Sequence, residues 1–158
     1  PNVMAGYLDD ALATAHVMRG GWLHTGDIGF VDEDGRLSIA DRSKDLILRG
    51  GASIYPSEVE SVLTHHPSVR EAAVVGKADD YYGEEVVALI VLREPIGPEA
   101  IERWVRERLA PYKVPRFYGF LESLPRSGSG KTLKRKLRER VASGELPIEA
   151  LASNRPTD

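Results

Sequence analysis

Lys131 stands in the run "PRSGSGKTLKRKLRE", Pro125–Glu139, whose centre "SGSGKT" has the look of a loop that cradles nucleotide phosphates. A Walker-type loop needs G-x-x-x-x-G-K-[ST], with backbone N–H groups around the phosphates and a lysine reaching them. Counting back from Gly130, the first glycine should fall at position 125, which is Pro125. Proline has no N–H to offer, and its fixed φ suits the turn poorly. No acidic residue downstream stands at a strand end to complete such a site. The P-loop reading is therefore rejected. Lys131 either does some other chemistry or leads into a solvated basic helix. Lys134, Arg135, Lys136, Arg138 and Arg140 follow it and resemble a nucleic-acid patch. Leu133, Leu137 and Val141 recur among them at helical spacing, so these charges read first as the outer face of a docked helix. No aromatic residues interleave with them for base stacking. His16, His24, His65 and His66 have no metal-ligand spacing.

The chain of 158 residues has length for one domain plus an appendage, and 42% apolar residues, enough for an ordinary core. A formal charge of −3 gives no global field toward nucleic acid or anionic lipid. There are no cysteines, which excludes disulfides and thiolate metal sites and fits a reducing compartment. No apolar run approaches the roughly 18 residues of a membrane span. The opening "PNVMAGYLDD" has neither an initiator Met nor a signal peptide and reads as cut from a longer protein.

The elements that must position these residues follow from local pattern. Asp34-Gly35 signals a hairpin turn, with Asp27–Val31 and Arg36–Ala40 as its arms. "DLILRGGASIYP" predicts two short strands broken at Gly50-Gly51. "PSEVESVLTHHP" predicts a helix, with Ser57 and Glu60 at capping-box spacing and Val59, Val62 and Leu63 on one face. "VREAAVVGKAD" and "EEVVALIVLRE" are strand-length apolar runs, the second continuous enough to be buried on both sides. A helix follows, with Ile101, Trp104, Val105 and Leu109 on one side and Glu102, Arg103, Arg106 and Glu107 on the others. "RFYGFLESLP" is a third sheet strand, and the basic helix closes the fold. The tail from residue 142 is weakly patterned. The expected class is α+β, a small three-stranded sheet flanked by helices and preceded by β-hairpins.

Four segments in order, "GWLHTGD", "DRSKDLILRGGASIYPSEVE", "HHPSVREAAVVGKADDYYGEEVVALIV" and "LPRSGSGKTLKR", resemble the C-terminal portion of the adenylate-forming superfamily. That superfamily comprises acyl- and aryl-CoA ligases, luciferases and peptide-synthetase adenylation domains. The resemblance covers about residues 6–141, and the wording is most similar to fatty-acyl or aryl-CoA ligases. It implies a two-step reaction: a carboxylate attacks the α-phosphate of ATP to give acyl-AMP and pyrophosphate, then the thiol of coenzyme A displaces AMP. It implies residues 1–41 as the end of a large N-terminal domain, 42–141 as a mobile C-terminal domain that rotates between the steps, and 142–158 as a tail.

The resemblance also assigns roles. Asp27, in "TGD", would bind the ribose of ATP or AMP, since a carboxylate can accept from both hydroxyls; an Asx turn beside Gly26 is the plainer alternative. Arg42 would reach the same ribose, with a salt bridge to Asp41 or Asp45 as a compatible second role. Lys44 falls at the hinge. Gly50 and Gly51 match the loop lining the pantetheine channel, where glycine permits close approach. Some relatives carry an arginine two residues after the second glycine; here that residue is Ser53. Lys131 matches the adenylation lysine, its ammonium holding the attacking carboxylate to an α-phosphate oxygen, on a flexible Gly-Ser loop. Arg106 would meet the CoA nucleotide phosphates, against a strong alternative as a solvated helix arginine.

No metal site is expected in the chain; magnesium would accompany ATP and be ligated outside it. The implied partners are a small carboxylate, ATP, CoA and the N-terminal domain of the same protein, with no nucleic acid and no membrane span, in the cytoplasm. The phosphate loop, the magnesium-associated Glu and the acyl pocket belong to that other domain, so the chain alone is expected to be inactive. The alternatives are an adenylation domain acylating a carrier protein, disfavoured because no carrier domain follows residue 158, and a non-catalytic nucleotide- or partner-binding module. A nucleic-acid-binding domain is disfavoured by charge balance and missing aromatics.

Overall fold

The computed structural model describes residues 2–151. The chain forms two compact units, Pro1–Lys44 and Asp45–Asp158, each described by itself. The division falls somewhat beyond the expected 41/42 boundary, because the second arm of the hairpin runs on to Arg42 and keeps that residue with the first unit.

The first unit is built from local signals. Helix α1, Ala11–Val17, is capped by the Asp10 carboxylate, which accepts from Ala13 N–H at 2.8 Å. No apolar periodicity marks this helix, and none of its residues is buried. Strands β1 (Met18–Arg19) and β2 (Trp22–Leu23) turn at Gly20-Gly21. Strands β3 (Asp27–Val31) and β4 (Leu37–Arg42) form the hairpin expected around Asp34-Gly35. Asp32 braces its turn by accepting from Arg36 N–H at 2.8 Å. Among the described residues of this unit only Asp41 is buried, and no apolar side chain is.

The second unit is the α+β fold. After β5 (Ile47–Arg49), β6 (Ala52–Ile54) and α2 (Pro56–Thr64) come the long antiparallel pair β7 (Val69–Asp79) and β8 (Gly83–Leu92). Helix α3 (Pro98–Arg106) then crosses over to β9 (Phe117–Phe120), which lies parallel to β8. Helix α4 (Lys134–Ala142) and the short β10 (Glu149–Ala150) complete it. The three expected sheet strands are β7, β8 and β9. The β5–β6 hairpin and β10 extend them to a mixed sheet of six.

The core lies on both faces of that sheet. Along β8, Val86, Ala88 and Ile90 point to one side, where Val59 and Leu63 of α2 and Ile101 and Val105 of α3 pack. Val87, Leu89 and Val91 point to the other, against Leu137 and Val141 of α4. A strand covered on both faces reads as one apolar run, which is why β8 is legible in the sequence.

Three expectations are corrected. Ser57 is not the N-cap of α2. Tyr55 is the N-cap, without a side-chain capping bond, and Pro56 starts the helix. Glu60 instead accepts from Val74 N–H at 2.7 Å and pairs with Lys134 at 2.7 Å. Glu102 is buried rather than on a solvated face, because Arg106 covers it. The segment after Ala142 is less of a loose tail than its pattern suggests: Leu146 is buried and β10 pairs with β9. Residues 152–158 lie outside the described residues.

Lacking a buried apolar side chain, residues 27–40 should open at little cost, while β8 should open only with the whole fold. In hydrogen exchange on the chain, amides of Asp27–Val31 and Leu37–Ala40 should exchange well before those of Val86–Leu92. Equal protection of the two would contradict this account.

Candidate functional site

In the first unit, Asp27 opens β3 and Arg42 ends β4, directly opposite each other in register. Arg42 Nε donates to Asp27 Oδ1 at 2.9 Å, so two residues assigned separately to the ribose form one ion pair. Asp41 Oδ1 accepts from the backbone N–H of Arg42, and Asp45 pairs with Arg138 in the second unit. The arginine side chain is 52% exposed and the carboxylate 31%, so a ribose edge could reach both. Asp27 N–H is held by Thr25 Oγ1 at 3.1 Å, which fixes the "TGD" turn. Lys44, exposed, is the last residue of this unit.

In the second unit, Gly50 and Gly51 form the two-residue turn between β5 and β6, with Arg49 opposite Ala52. Their φ values are +55° and +80°. Such a turn needs positive φ at both positions, which glycine supplies without strain. A side chain at Gly51 would enter open space, whereas one at Gly50 would meet Tyr82 at 3.1 Å. Gly50 N–H donates to Tyr82 O at 2.9 Å.

The turn's surroundings were not foreseen. Arg49 forks onto Glu85 at 2.7 and 3.1 Å. It also donates to Tyr112 O at 3.2 Å and lies over the Tyr82 ring at 4.4 Å. Arg116 reaches Glu85 at 3.2 Å and Asp79 at 3.5 Å. Asp79 also accepts from the N–H groups of Tyr82 and Tyr81, at 2.9 and 3.0 Å. Those N–H bonds, that of Tyr82 foremost, and the nearby Arg116 and Lys77 hold its carboxyl below the usual range, against a smaller opposing effect of burial. The only advance signal was a glutamate heading an otherwise apolar strand; nothing in the sequence showed its partners.

Lys131 sits at the exposed end of a closed turn. Ser127 N–H donates to Lys131 O at 2.8 Å, and Gly130 N–H to Ser127 O at 2.9 Å. Arg126 spans from Gly130 O, at 2.7 Å, to Glu71 on β7, at 2.6 Å. The Gly-Ser loop, expected to be flexible, is therefore knit together and fastened to the sheet. Its lysine projects from a hydrogen-bonded base, and α4 begins three residues further on, at Lys134.

Arg106 lies on α3 with its Nε and one Nη on Glu102 Oε1, at 2.9 and 2.8 Å. Beneath, the Tyr118 hydroxyl is buried without a hydrogen-bond partner. Burial first, then the charge of Glu102, drives the Tyr118 pKa upward. Among the described residues there is no group of three or more His, Asp or Glu that could hold a metal ion, and no helix long and apolar enough to cross a membrane.

The second unit is a mixed sheet with a glycine turn and a lysine turn, and the first carries an exposed Asp–Arg pair. The chain matches the AMP-binding enzyme C-terminal domain over residues 58–131. Over 141 residues it is 49% identical to a 2-succinylbenzoate–CoA ligase of Bacillus mycoides, covering 89% of this chain and 29% of that protein. The o-succinylbenzoate CoA synthetase of Bacillus subtilis, solved with its acyl-adenylate intermediate, superposes with a TM-score of 0.83 at 43% identity, over 87% of this chain and 28% of that one. An amide bond synthetase of Marinactinospora thermotolerans superposes with a TM-score of 0.79 at 43% identity, over 89% and 29% of the two chains. The chain thus spans under a third of the length of the relatives it matches.

The bonds that lower the Asp79 pKa are linked to stability. With the folded value below the ordinary 3.8, the carboxylate's contribution is fully present above 3.8 and is lost as pH falls through the lowered folded value. Asp79→Asn should therefore be less stable than wild type near pH 7 in urea titrations, and the gap should close in acid. A gap independent of pH would remove the carboxylate from this account.

Proposed function

We propose that the chain is the C-terminal portion of an ATP-dependent acid–thiol ligase. Its kinship over 141 residues with a CoA ligase is the observation that carries this reading. In the first step a carboxylate oxygen attacks the α-phosphorus of ATP, the bond to the β-phosphate oxygen breaks, and acyl-AMP and pyrophosphate result. In the second the thiol of CoA attacks the acyl carbon, gives up its proton, and AMP leaves. The names of the relatives favour an aryl acid of the succinylbenzoate kind over a fatty acid. A cytoplasmic setting follows from the use of ATP and CoA.

The residues divide between the steps. Asp27 and Arg42 present a carboxylate and a guanidinium edge to the ribose. Lys131 brings its ammonium between the attacking carboxylate and an α-phosphate oxygen, offsetting the charge that builds during displacement. Lys44 is the hinge, a reading supported by its place at the end of the first unit. Gly50 and Gly51 line the path of the thiol, where the absence of side chains lets the pantetheine arm lie close to the backbone. Arg106, held by Glu102 at the surface of α3, faces the CoA nucleotide phosphates. Magnesium accompanies the ATP phosphates and is ligated by the rest of the protein, which also supplies the phosphate loop and the acyl pocket. The likeness to an amide bond synthetase favours a second reading, in which an amine takes the place of the thiol.

Two substitutions in the full-length parent should separate the half-reactions. Lys131→Ala should slow pyrophosphate release a few hundredfold, the worth of roughly 3–4 kcal/mol for one such contact. It should leave acyl-CoA formation from supplied acyl-AMP largely intact. Gly51→Leu should do the reverse. Gly51→Ala carries the same backbone strain with little bulk and should be milder. If each variant loses both steps in equal proportion, the division of roles fails and destabilisation explains the losses. If an amine but not CoA accepts the acyl group, the second reading replaces the first.

A further inference from the structure

The β5–β6 hairpin carries the glycine turn; Ile47 and Ile54 bury its base in the core, but toward the turn its own means of attachment are few. Each arm has only three residues, and β5 is in register with β8 at the single pair Arg49–Gly83. Side chains from the start of β8 make up the difference. Glu84 Oε2 accepts from Leu48 N–H at 2.7 Å. The next residue, Glu85, points to the opposite face and takes the guanidinium of Arg49 in a two-bond fork. Tyr82, just before β8, accepts from Gly50 N–H through its carbonyl and lies under Arg49 with its ring. Three successive backbone positions of the hairpin, Leu48, Arg49 and Gly50, are thus each held by one of Glu84, Glu85 and Tyr82.

The Glu85 carboxylate is 0% exposed and the Arg49 side chain 10%. In such a site a forked arginine–carboxylate pair fixes direction as well as distance. Two cations, Arg49 and Arg116, face two anions, Glu85 and Asp79, so the cluster is balanced. The charges lie directly beside the turn: Arg49 is the residue preceding Gly50.

We propose that Arg49 is a positioning residue for thioester formation, holding the Gly50-Gly51 turn, through Glu85 and Tyr82, at the height and tilt the thiol's path requires. The proposal rests on the reading of that turn as the lining of the path. Arg49 touches neither substrate. It acts through the glycines, which have no side chains of their own by which neighbours could fix them. A displacement of about 1 Å at a reacting centre can cost a hundredfold in rate, so a loosened turn should show in the second step and not in the first.

The test uses the full-length parent enzyme and four variants. Arg49→Met removes the fork while leaving Glu85 paired with Arg116, so no buried carboxylate is stranded. Arg49→Lys keeps the charge and loses the fork. Tyr82→Leu removes the ring and leaves the buried pair whole. Gly51→Leu probes the underlying reading. Acyl-CoA formation from supplied acyl-AMP should fall about ten- to a hundredfold in Arg49→Met, with kcat/KM for CoA lowered and the KM values for ATP and the carboxylate unchanged. Pyrophosphate release should stay within about twofold, which also certifies the fold. Arg49→Lys should recover part of the loss, and Tyr82→Leu should lose less than Arg49→Met. Hydrogen exchange at Gly50 should quicken in Arg49→Met, with β7 and β8 unchanged. If Gly51→Leu slows the second step selectively while Arg49→Met and Tyr82→Leu leave it intact, the positioning role is overturned and the reading of the turn survives. If Gly51→Leu itself shows no selectivity, that reading falls first. If Arg49→Met fails to fold, Tyr82→Leu decides alone, and an unchanged second step in it overturns the proposal.

Discussion

Strand β8 is buried on both faces, and that constraint organises the second unit. Its alternate residues feed two separate cores, one closed by α2 and α3 and the other by α4. Burying one valine, leucine or isoleucine side chain is worth about 1.5–3 kcal/mol, and five of them with Ala88 in an unbroken row make β8 the least dispensable element of the fold. Every other strand of the sheet except β6 and β10 pairs with it directly. The glycine turn and the lysine turn are attached to this strand or to its partner β7. Glu84 and Glu85 hold the glycine hairpin from the first residues of β8. Glu71, on β7, holds Arg126 and through it the lysine turn.

The two turns solve the same problem with different means. A glycine turn has no side chains to pack, and an exposed lysine must keep its ammonium out of ion pairs that would occupy it. In each case the holding groups lie outside the glycines or the lysine itself. Arg49 precedes the glycines, and Arg126 lies at the base of the turn whose far end is Lys131. Helix α4 continues from that base and is tied down by Lys134 to Glu60 of α2 and by Arg138 to Asp45. Asp45 is the first residue of the second unit. One helix therefore connects the base of the lysine turn to the start of that unit.

What the sequence disclosed follows from what is local and periodic. The apolar runs of β7 and β8, the Asp34-Gly35 hairpin and the spacing of Leu137 and Val141 each carry their pattern within a few residues. The ordered motifs around Asp27, Arg42, Gly50-Gly51 and Lys131 carried the family. Long-range pairing was not legible. Glu60 has capping-box spacing, yet its partners include the distant Val74 and Lys134. Glu102 falls on a face that looks solvated, and Arg106 folds over it and pairs with its carboxylate. Asp27 and Arg42 are each recognisable by motif, but their pairing depends on the register of a hairpin that bulges between Ile28 and Gly29. Helix α1 and β10 lack an apolar face or length enough to announce themselves.

The Arg49–Glu85–Arg116 cluster shows why such pairings matter for direction more than for stability. Removing two or three charges from water costs several kcal/mol each, and their mutual attraction does little more than return it. A well-packed apolar set of similar volume would hold the fold about as firmly. It would not hold it in one orientation, because apolar contacts are non-directional while a guanidinium fork on a carboxylate has one geometry. The turn end of a three-residue strand that meets β8 at a single registered pair can tilt at small cost. Directional contacts at Leu48, Arg49 and Gly50 remove that freedom beside the turn proposed to line the thiol's path. The charges are thus spent on register, next to the two residues that have no side chains with which to define it.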